Sequence, residues 1–443
     1  PVDVSADRRY LVDQNGDPFP ILGRTAWFIT ALSEASYRTF IDDTVAKGFD
    51  AIEFHVVNHS PQGENAPFDG HGELPFLKQL DGNAWTGTLY PHYSDITLEA
   101  PDLTTPNEAY WAYVDALLAY AESKGVLCFF FPAYVGFPET AEGWMNEMVA
   151  NGPAKMQAYG EWIATRYRDQ KNLVWMAGGD KQVYDANETA VEAALIAGLK
   201  SVNTRSKHYS AEWRRNSIAK DQPDFGPDMT LNGTYANSAN VNNVGRRAYQ
   251  YVPVIPAFLL EEPYDEEGAD GNGSNLDATQ PVRRFQWWGV LSNIGGYIAG
   301  NGYIWIFKPG WPSHLDTRGA VDMKHLNAFV RSIPWYRLVP SGLDGMRELV
   351  TNGVGDLGGP DYITAAATPD GALLVAYVPP ANDVPFTIDM TALSGPAQAR
   401  WFNPTNAQSM TIGTFPNTGT QTFTTPGDNG SGFDDWVLVF EKQ

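Results

Sequence analysis

The chain contains one cysteine, Cys128, in 443 residues, so no intrachain disulfide can form and a small disulfide-stapled scaffold is excluded. Basic side chains are scarce: 30 Lys and Arg stand against 52 Asp and Glu, a formal net charge of −22. A surface this negative repels phosphate backbones and anionic membranes, so neither nucleic acid nor membrane is an expected partner. No apolar run approaches the ~18 residues that a bilayer span requires. No basic-then-apolar leader opens the chain. Its start at Pro1-Val2-Asp3 reads as a mature or trimmed form, and a secreted or periplasmic location is expected. What is plentiful is aromatic: 14 Trp and 21 Tyr, a number that fits either stacking on sugar rings or a large aromatic core.

Strand-length apolar runs occur at 20–27, 51–57, 126–132, 173–177, 208–213, 229–232, 253–260 and 302–307. Helical patterns separate several of them. Ser33 caps a helix that runs to Lys47 and stops at Gly48, and Asn107 opens one that runs to Lys124 before Gly125. Further helices are expected at 154–168, 188–202 and 282–294. Strand–helix alternation of this kind predicts an α/β fold, a (β/α)8 TIM barrel, over residues 1–338. Beyond about residue 335 the texture changes to short alternating segments punctuated by Gly, Pro, Thr and Asn. Expected strands at 362–367, 372–378, 386–390, 399–402, 421–423 and 436–440 predict a small antiparallel β-sandwich over 339–443. Two long loops, 58–105 and 263–281, follow strands two and seven, which puts both on the carboxyl face of the barrel, where active sites form.

Strand ends are therefore the first place to look for chemistry. Strand four runs into Ala177-Gly178-Gly179-Asp180, and strand seven into Glu261-Glu262-Pro263. Neighbours on a strand point to opposite sides, so only one of Glu261 and Glu262 faces the mouth. Two carboxylates across one mouth are what glycosidic-bond cleavage needs, one acid for the leaving oxygen and one carboxylate for the anomeric carbon or for water. Arg24, Trp27, His55, Asn58, Tyr134, Trp213, Tyr235 and Trp305 lie at predicted strand ends and are the candidate sugar contacts, aromatic faces for C–H surfaces and polar groups for hydroxyls. No HExxH, P-loop or GxSxG is present, and the acidic stretch Asp265, Glu266, Glu267, Asp270 and Asp277 lacks EF-hand spacing. It reads as a solvated loop, so no metal and no cofactor are expected.

Several segments in order resemble one family. Arg9–Phe19 is similar to a family opening RYLVD–G–PF, and Gly23-Arg24-Thr25-Ala26-Trp27 to its GDTAW. Lys47-Gly48-Phe49, Trp175–Asp180, Glu262-Pro263, Val282–Gly296, Ile304-Trp305, Trp401–Pro404 and Asp435–Leu438 follow in the same order as the family's later motifs. The chain thus resembles the apiosidase-like glycoside hydrolases, including glycoside hydrolase family 140, over nearly its whole length. The resemblance implies a retaining glycosidase acting on a plant or microbial oligo- or polysaccharide, with Asp180 as acid/base and Glu262 as nucleophile. It also implies a raised pKa for the acid. A transglycosylase with the same carboxylates and a non-catalytic carbohydrate-binding protein are the alternatives. Two departures, Arg24 for the family's Asp and no aromatic near Ala299, lead us to expect a sugar other than apiose.

Overall fold

A computed structural model describes residues 1–59, 65–89, 99–136, 143–236, 240–261, 264–266 and 281–443. Eight parallel strands carry the first part of the chain: β1 (Ile21–Thr25), β2 (Ala51–His55), β3 (Leu127–Phe131), β4 (Leu173–Gly178), β5 (Tyr209–Glu212), β6 (Asn232–Tyr235), β7 (Ala257–Leu260) and β8 (Ile294–Ala299). They are buried on both faces, which is why β3 can be Leu-Cys-Phe-Phe-Phe. The ladder runs β5-β4-β3-β2-β1-β8-β7-β6, with a short antiparallel strand at Ser217–Ile218 added to β6. Closure between β5 and β6 is made without a ladder. Leu231 N–H donates to Tyr209 O at 3.0 Å, and the Ser210 hydroxyl donates to Leu231 O at 3.2 Å while accepting from Gly233 N–H at 3.2 Å.

Helices α1 (Glu34–Ala46), α2 (Glu108–Ser123), α3 (Met145–Arg166), α4 (Ala186–Ser201), α5 (Asn240–Tyr249), α6 (Arg283–Asn293) and α7 (Arg318–Ser332) lie outside the strands. Ser33 caps α1 and Asn107 caps α2, each side chain accepting an orphan backbone N–H. Gly48 and Gly125 follow with left-handed φ of 74° each. Helix α3 starts nine residues before its expected position because the chain bends rather than stops at Gly152-Pro153. The eighth strand is also misplaced in the sequence reading. Residues 302–307 form turns, and β8 is Ile294-Gly295-Gly296-Tyr297-Ile298-Ala299, directly continuous with α6. A Cβ at Gly295 would lie 2.1 Å from Ala257 O, and one at Gly296 1.9 Å from Ile21 O, so close strand approach demands the residues that dilute the strand signal.

The second part is antiparallel. One sheet has the order β9-β11-β12-β17-β14-β15, with β9 (Val339–Pro340), β11 (Thr364–Ala367), β12 (Leu373–Val378), β14 (Ala397–Phe402), β15 (Ser409–Phe415) and β17 (Trp436–Lys442). A smaller sheet holds β10 (Val350–Asn352), β13 (Phe386–Asp389) and β16 (Thr420–Phe423). Alternation along β12 and β17 divides their side chains between two cores. Leu374, Ala376, Leu438 and Phe440 meet the small sheet, and Trp401 and Trp436 join them there. Val375, Tyr377, Val437 and Val439 face α6 and α7. Trp287 stacks on Tyr377 with ring centres 5.8 Å apart and planes within 1°, and Phe329 meets Phe402 at 4.8 Å. Through this seam Arg283 reaches Asp435 at 2.8 Å and Asp322 at 2.7 Å.

Candidate active site

The carboxyl ends of β4 and β7 turn in the same unusual way. Asp180, one residue beyond the Gly178-Gly179 turn, has φ 47°, and Glu261, directly after β7, has φ 48°. Left-handed backbone costs a non-glycine residue about 1–2 kcal/mol, and such strain clusters where side chains are aimed for function. Gly178 and Gly179 permit the turn: a Cβ on the first would meet Glu212 O at 2.2 Å, and one on the second would enter the Tyr134 ring. Asp180 is buried.

Glu261 is half-buried and its side chain faces the mouth. Its Oε1 accepts from the Tyr264 hydroxyl and, at 3.2 Å, from Trp27 Nε1–H. The same indole N–H donates to the Tyr264 oxygen at 2.6 Å. The Tyr264 ring lies on the bare face of Gly300 at the end of β8, where a Cβ would come within 2.1 Å of it. Tyr235, in register with Leu260, adds a further hydrogen bond to Glu261. Burial, with the charge of Asp180 adding, pushes the Glu261 carboxyl up to about 8 against the lowering pull of Tyr264, Arg215 and Tyr235. Glu262 and Pro263 lie outside the described residues.

Beneath Glu261 are two acids that the sequence reading passed over. Glu53 on β2 and Glu212 on β5 are fully buried, and none of their carboxyl oxygens has a hydrogen-bond partner among the described residues. Burial pushes both well above the carboxylate range. The charge of Glu261 adds to the shift at Glu53, and those of Glu261, Glu53 and Asp180 add to it at Glu212, where the Asp180 backbone N–H pulls the other way. The signal was available: Glu53 precedes His55 by two, so it shares its inward face, and one acid amid Ala-Ile-Phe is costly unless used.

The walls are aromatic. Trp27, His55 and Tyr134 form a stack, with His55 4.7 Å from Trp27 and 4.2 Å from Tyr134 between ring centres. Burial, with His59 adding, pushes His55 down to about 3, so its imidazole is neutral. Trp305 lies on the turn after β8, half-buried and edge-on to Phe28. The structure thus brings together Asp180, Trp27, His55, Tyr134 and Tyr235.

Three expected sugar contacts lie elsewhere. Arg24 points away from the barrel axis into α1, donating to Thr44 Oγ1 at 2.9 Å, Phe40 O at 3.0 Å and Asp43 Oδ2 at 2.7 Å. Strand alternation explains this, since its neighbour Thr25 takes the inward face. Trp213 is fully buried, stacked on Phe225 at 5.7 Å and donating to Ala219 O at 2.9 Å. Glu212, one residue earlier, occupies the inward position. Asn58 is enclosed and donates to Thr30 Oγ1 at 2.8 Å, bracing the start of its loop. Of the acidic stretch, Asp265 accepts from Thr317 at 2.6 Å and Glu266 contacts His314 at 2.7 Å, whereas 267, 270 and 277 lie outside the described residues. Among the described residues, no group of three or more His, Cys, Asp or Glu is placed to hold a metal ion, and no helix is long and apolar enough to cross a membrane.

A (β/α)8 barrel with carboxylates and aromatic walls at its carboxyl mouth defines the class, a sugar-cleaving barrel enzyme. Comparison makes this specific: residues 5–337 match the family described as "Apiosidase-like, catalytic domain". The chain belongs to that family and is a glycoside hydrolase. Residues 348–441 match the family described as "Putative collagen-binding domain of a collagenase". A solved structure named "Glycoside hydrolase" is 21% identical, with TM-score 0.77, covering 100% of this chain and 97% of the other. A glycoside hydrolase family 5 structure from Bacteroides vulgatus is 20% identical, also with TM-score 0.77, covering 100% and 93%. No curated protein matches the chain.

Proposed function

We propose that the protein is an exported retaining glycoside hydrolase acting on a plant or microbial glycan, with Asp180 as acid/base and Glu261, rather than Glu262, as nucleophile. The observation that carries the choice of nucleophile is the hydrogen bonding of Glu261. It alone of the described acids in the mouth receives donors from both Trp27 and Tyr264. Donors on a carboxylate favour its charged form and fix its direction. In the first step the Glu261 carboxylate bonds to the anomeric carbon, the glycosidic C–O bond breaks, and Asp180 gives its proton to the leaving oxygen. In the second, Asp180 takes a proton from water, the oxygen of that water bonds to the anomeric carbon, and the ester to Glu261 breaks. The neutral stack of Trp27, His55 and Tyr134 supplies apolar surface for a sugar ring.

With Arg24 turned into α1, its departure from the family pattern no longer bears on which sugar is bound. The β-domain reads as a brace. Its large sheet spends one face on α6 and α7 and the other on its own core, and its two Trp residues lie in that core. The test is a panel of aryl glycosides and glycans followed by NMR of the first product. Retention of anomeric configuration, with loss of turnover in Glu261→Gln, is expected. Inversion, or turnover surviving in Glu261→Gln, would refute the assignment.

A further inference from the structure

Resting on Glu261 as the attacking group, we infer that Tyr264, braced by Trp27, is the positioning residue that makes Glu261, rather than Glu53 or Glu212 beneath it, the first of the three acids to ionise. Three inward acids on β2, β5 and the end of β7 face one another, but their surroundings differ. Glu53 and Glu212 are fully buried, and their four oxygens have no hydrogen-bond partner among the described residues. A charge there is poorly compensated for its lost hydration, and at Glu212 the Asp180 backbone N–H offsets this only in part. Across the barrel axis the nearby layer is apolar, with Phe129 and Phe258 5.1 Å apart between ring centres.

Glu261 differs at one oxygen: its Oε2 is likewise buried without a hydrogen-bond partner among the described residues, whereas its Oε1 has donors. Tyr264 gives it a hydroxyl donor, Trp27 an indole N–H at 3.2 Å, and Tyr235 a further hydrogen bond. Trp27 also donates to the Tyr264 oxygen at 2.6 Å, which orients that hydroxyl's own proton toward Glu261. The charged or titratable groups that face Glu261 are Asp180 from the end of β4, Arg215 after β5, Tyr235 on β6, Tyr264 on the β7 loop, and Glu53 and Glu212 below. Arg215 is the cation of this set. A second ionised acid beneath Glu261 would raise its proton affinity and silence it as a nucleophile. A neutral floor lets Glu261 be the first of the three to ionise.

The experiment is a carboxyl-carbon NMR titration of glutamate-labelled protein, with resonances assigned by their loss in E53Q, E212Q and E261Q. At pH 7 the Glu53 and Glu212 carboxyls are expected at the neutral-acid position, and Glu261 titrates at lower pH than either. In Tyr264→Phe the Glu261 midpoint rises by about one pH unit, because a donor to the anion is gone. Trp27→Phe removes the indole N–H together with part of the ring and gives a smaller rise in the same direction, which serves if Tyr264→Phe does not fold. An ionised Glu53 or Glu212 at pH 7, or an unmoved Glu261 midpoint in the folded variants, overturns the inference. No substrate is involved, so this result stands apart from the turnover tests of Glu261 itself.

Discussion

The molecule buries acidic side chains in two places and treats them oppositely. At the seam between barrel and β-domain each is met by a cation. Asp322 binds Arg283 at 2.7 Å and Arg318 at 2.8 Å, and Asp435 takes Arg283, Tyr377 and Asn429 at 2.8 Å each. At the barrel mouth Glu53 and Glu212 have no cation in contact among the described residues, and Glu261 is held mainly by neutral donors. Paired burial makes a brace. Unpaired burial stores free energy as shifted proton affinity, which a reaction can draw on.

The sharpest way to break this contrast is to neutralise each region in turn. Glu261→Gln and Asp180→Asn are expected to cost at least 10³-fold in kcat/KM, about 4 kcal/mol of transition-state stabilisation, with little change in melting temperature. Arg283→Met should do the reverse. It leaves Asp322 and Asp435 buried against a missing cation, which costs about 3–5 kcal/mol of stability. Refolded Arg283→Met at low temperature should keep its kcat. Urea unfolding beside steady-state kinetics separates the two, and a mouth variant that unfolds the protein, or a seam variant that abolishes turnover without unfolding it, would erase the distinction.

Much of the architecture was legible because it depends on local rules. Ser33 and Asn107 caps, glycine stops and unbroken apolar strands gave six of the eight barrel strands near their true positions. Strand β8 was misplaced because tight backbone approach requires Gly295-Gly296, which carry no apolar signal. Helices α5 and α7 were missed: half of α5 is Asn and Arg, and α7 mixes charged with apolar residues. Site residues were harder, because the face that a strand residue takes flips with each step. One step separates Arg24 from Thr25 and Trp213 from Glu212. Motif order located the strand ends, but only the observed register told which neighbour turns inward.

That one-step rule predicts a smaller effect at Arg24. Arg24 serves α1 rather than sugar, so Arg24→Met should leave KM for a cleaved aryl glycoside unchanged. It should lower stability by about 2 kcal/mol through its lost hydrogen bonds to Thr44, Phe40 and Asp43. A large rise in KM without loss of stability would return Arg24 to the substrate.

The finest test uses pH. Glu53 is pushed well above the carboxylate range in the folded chain, while unfolding returns it to about 4.3. Its folded-state proton is therefore held more tightly, and the associated stability is complete below the unfolded value and lost as pH rises toward the folded one. Between pH 5 and pH 6 the unfolded chain gains by releasing this proton and the folded chain does not. Wild type should therefore lose stability over that unit that a non-titrating Glu53→Gln variant keeps. Stability curves for the two proteins should diverge with rising pH, with Glu53→Gln the relatively steadier. Parallel curves would mean that Glu53 is ionised in the fold, and would dissolve the difference between an unpaired mouth and a paired seam.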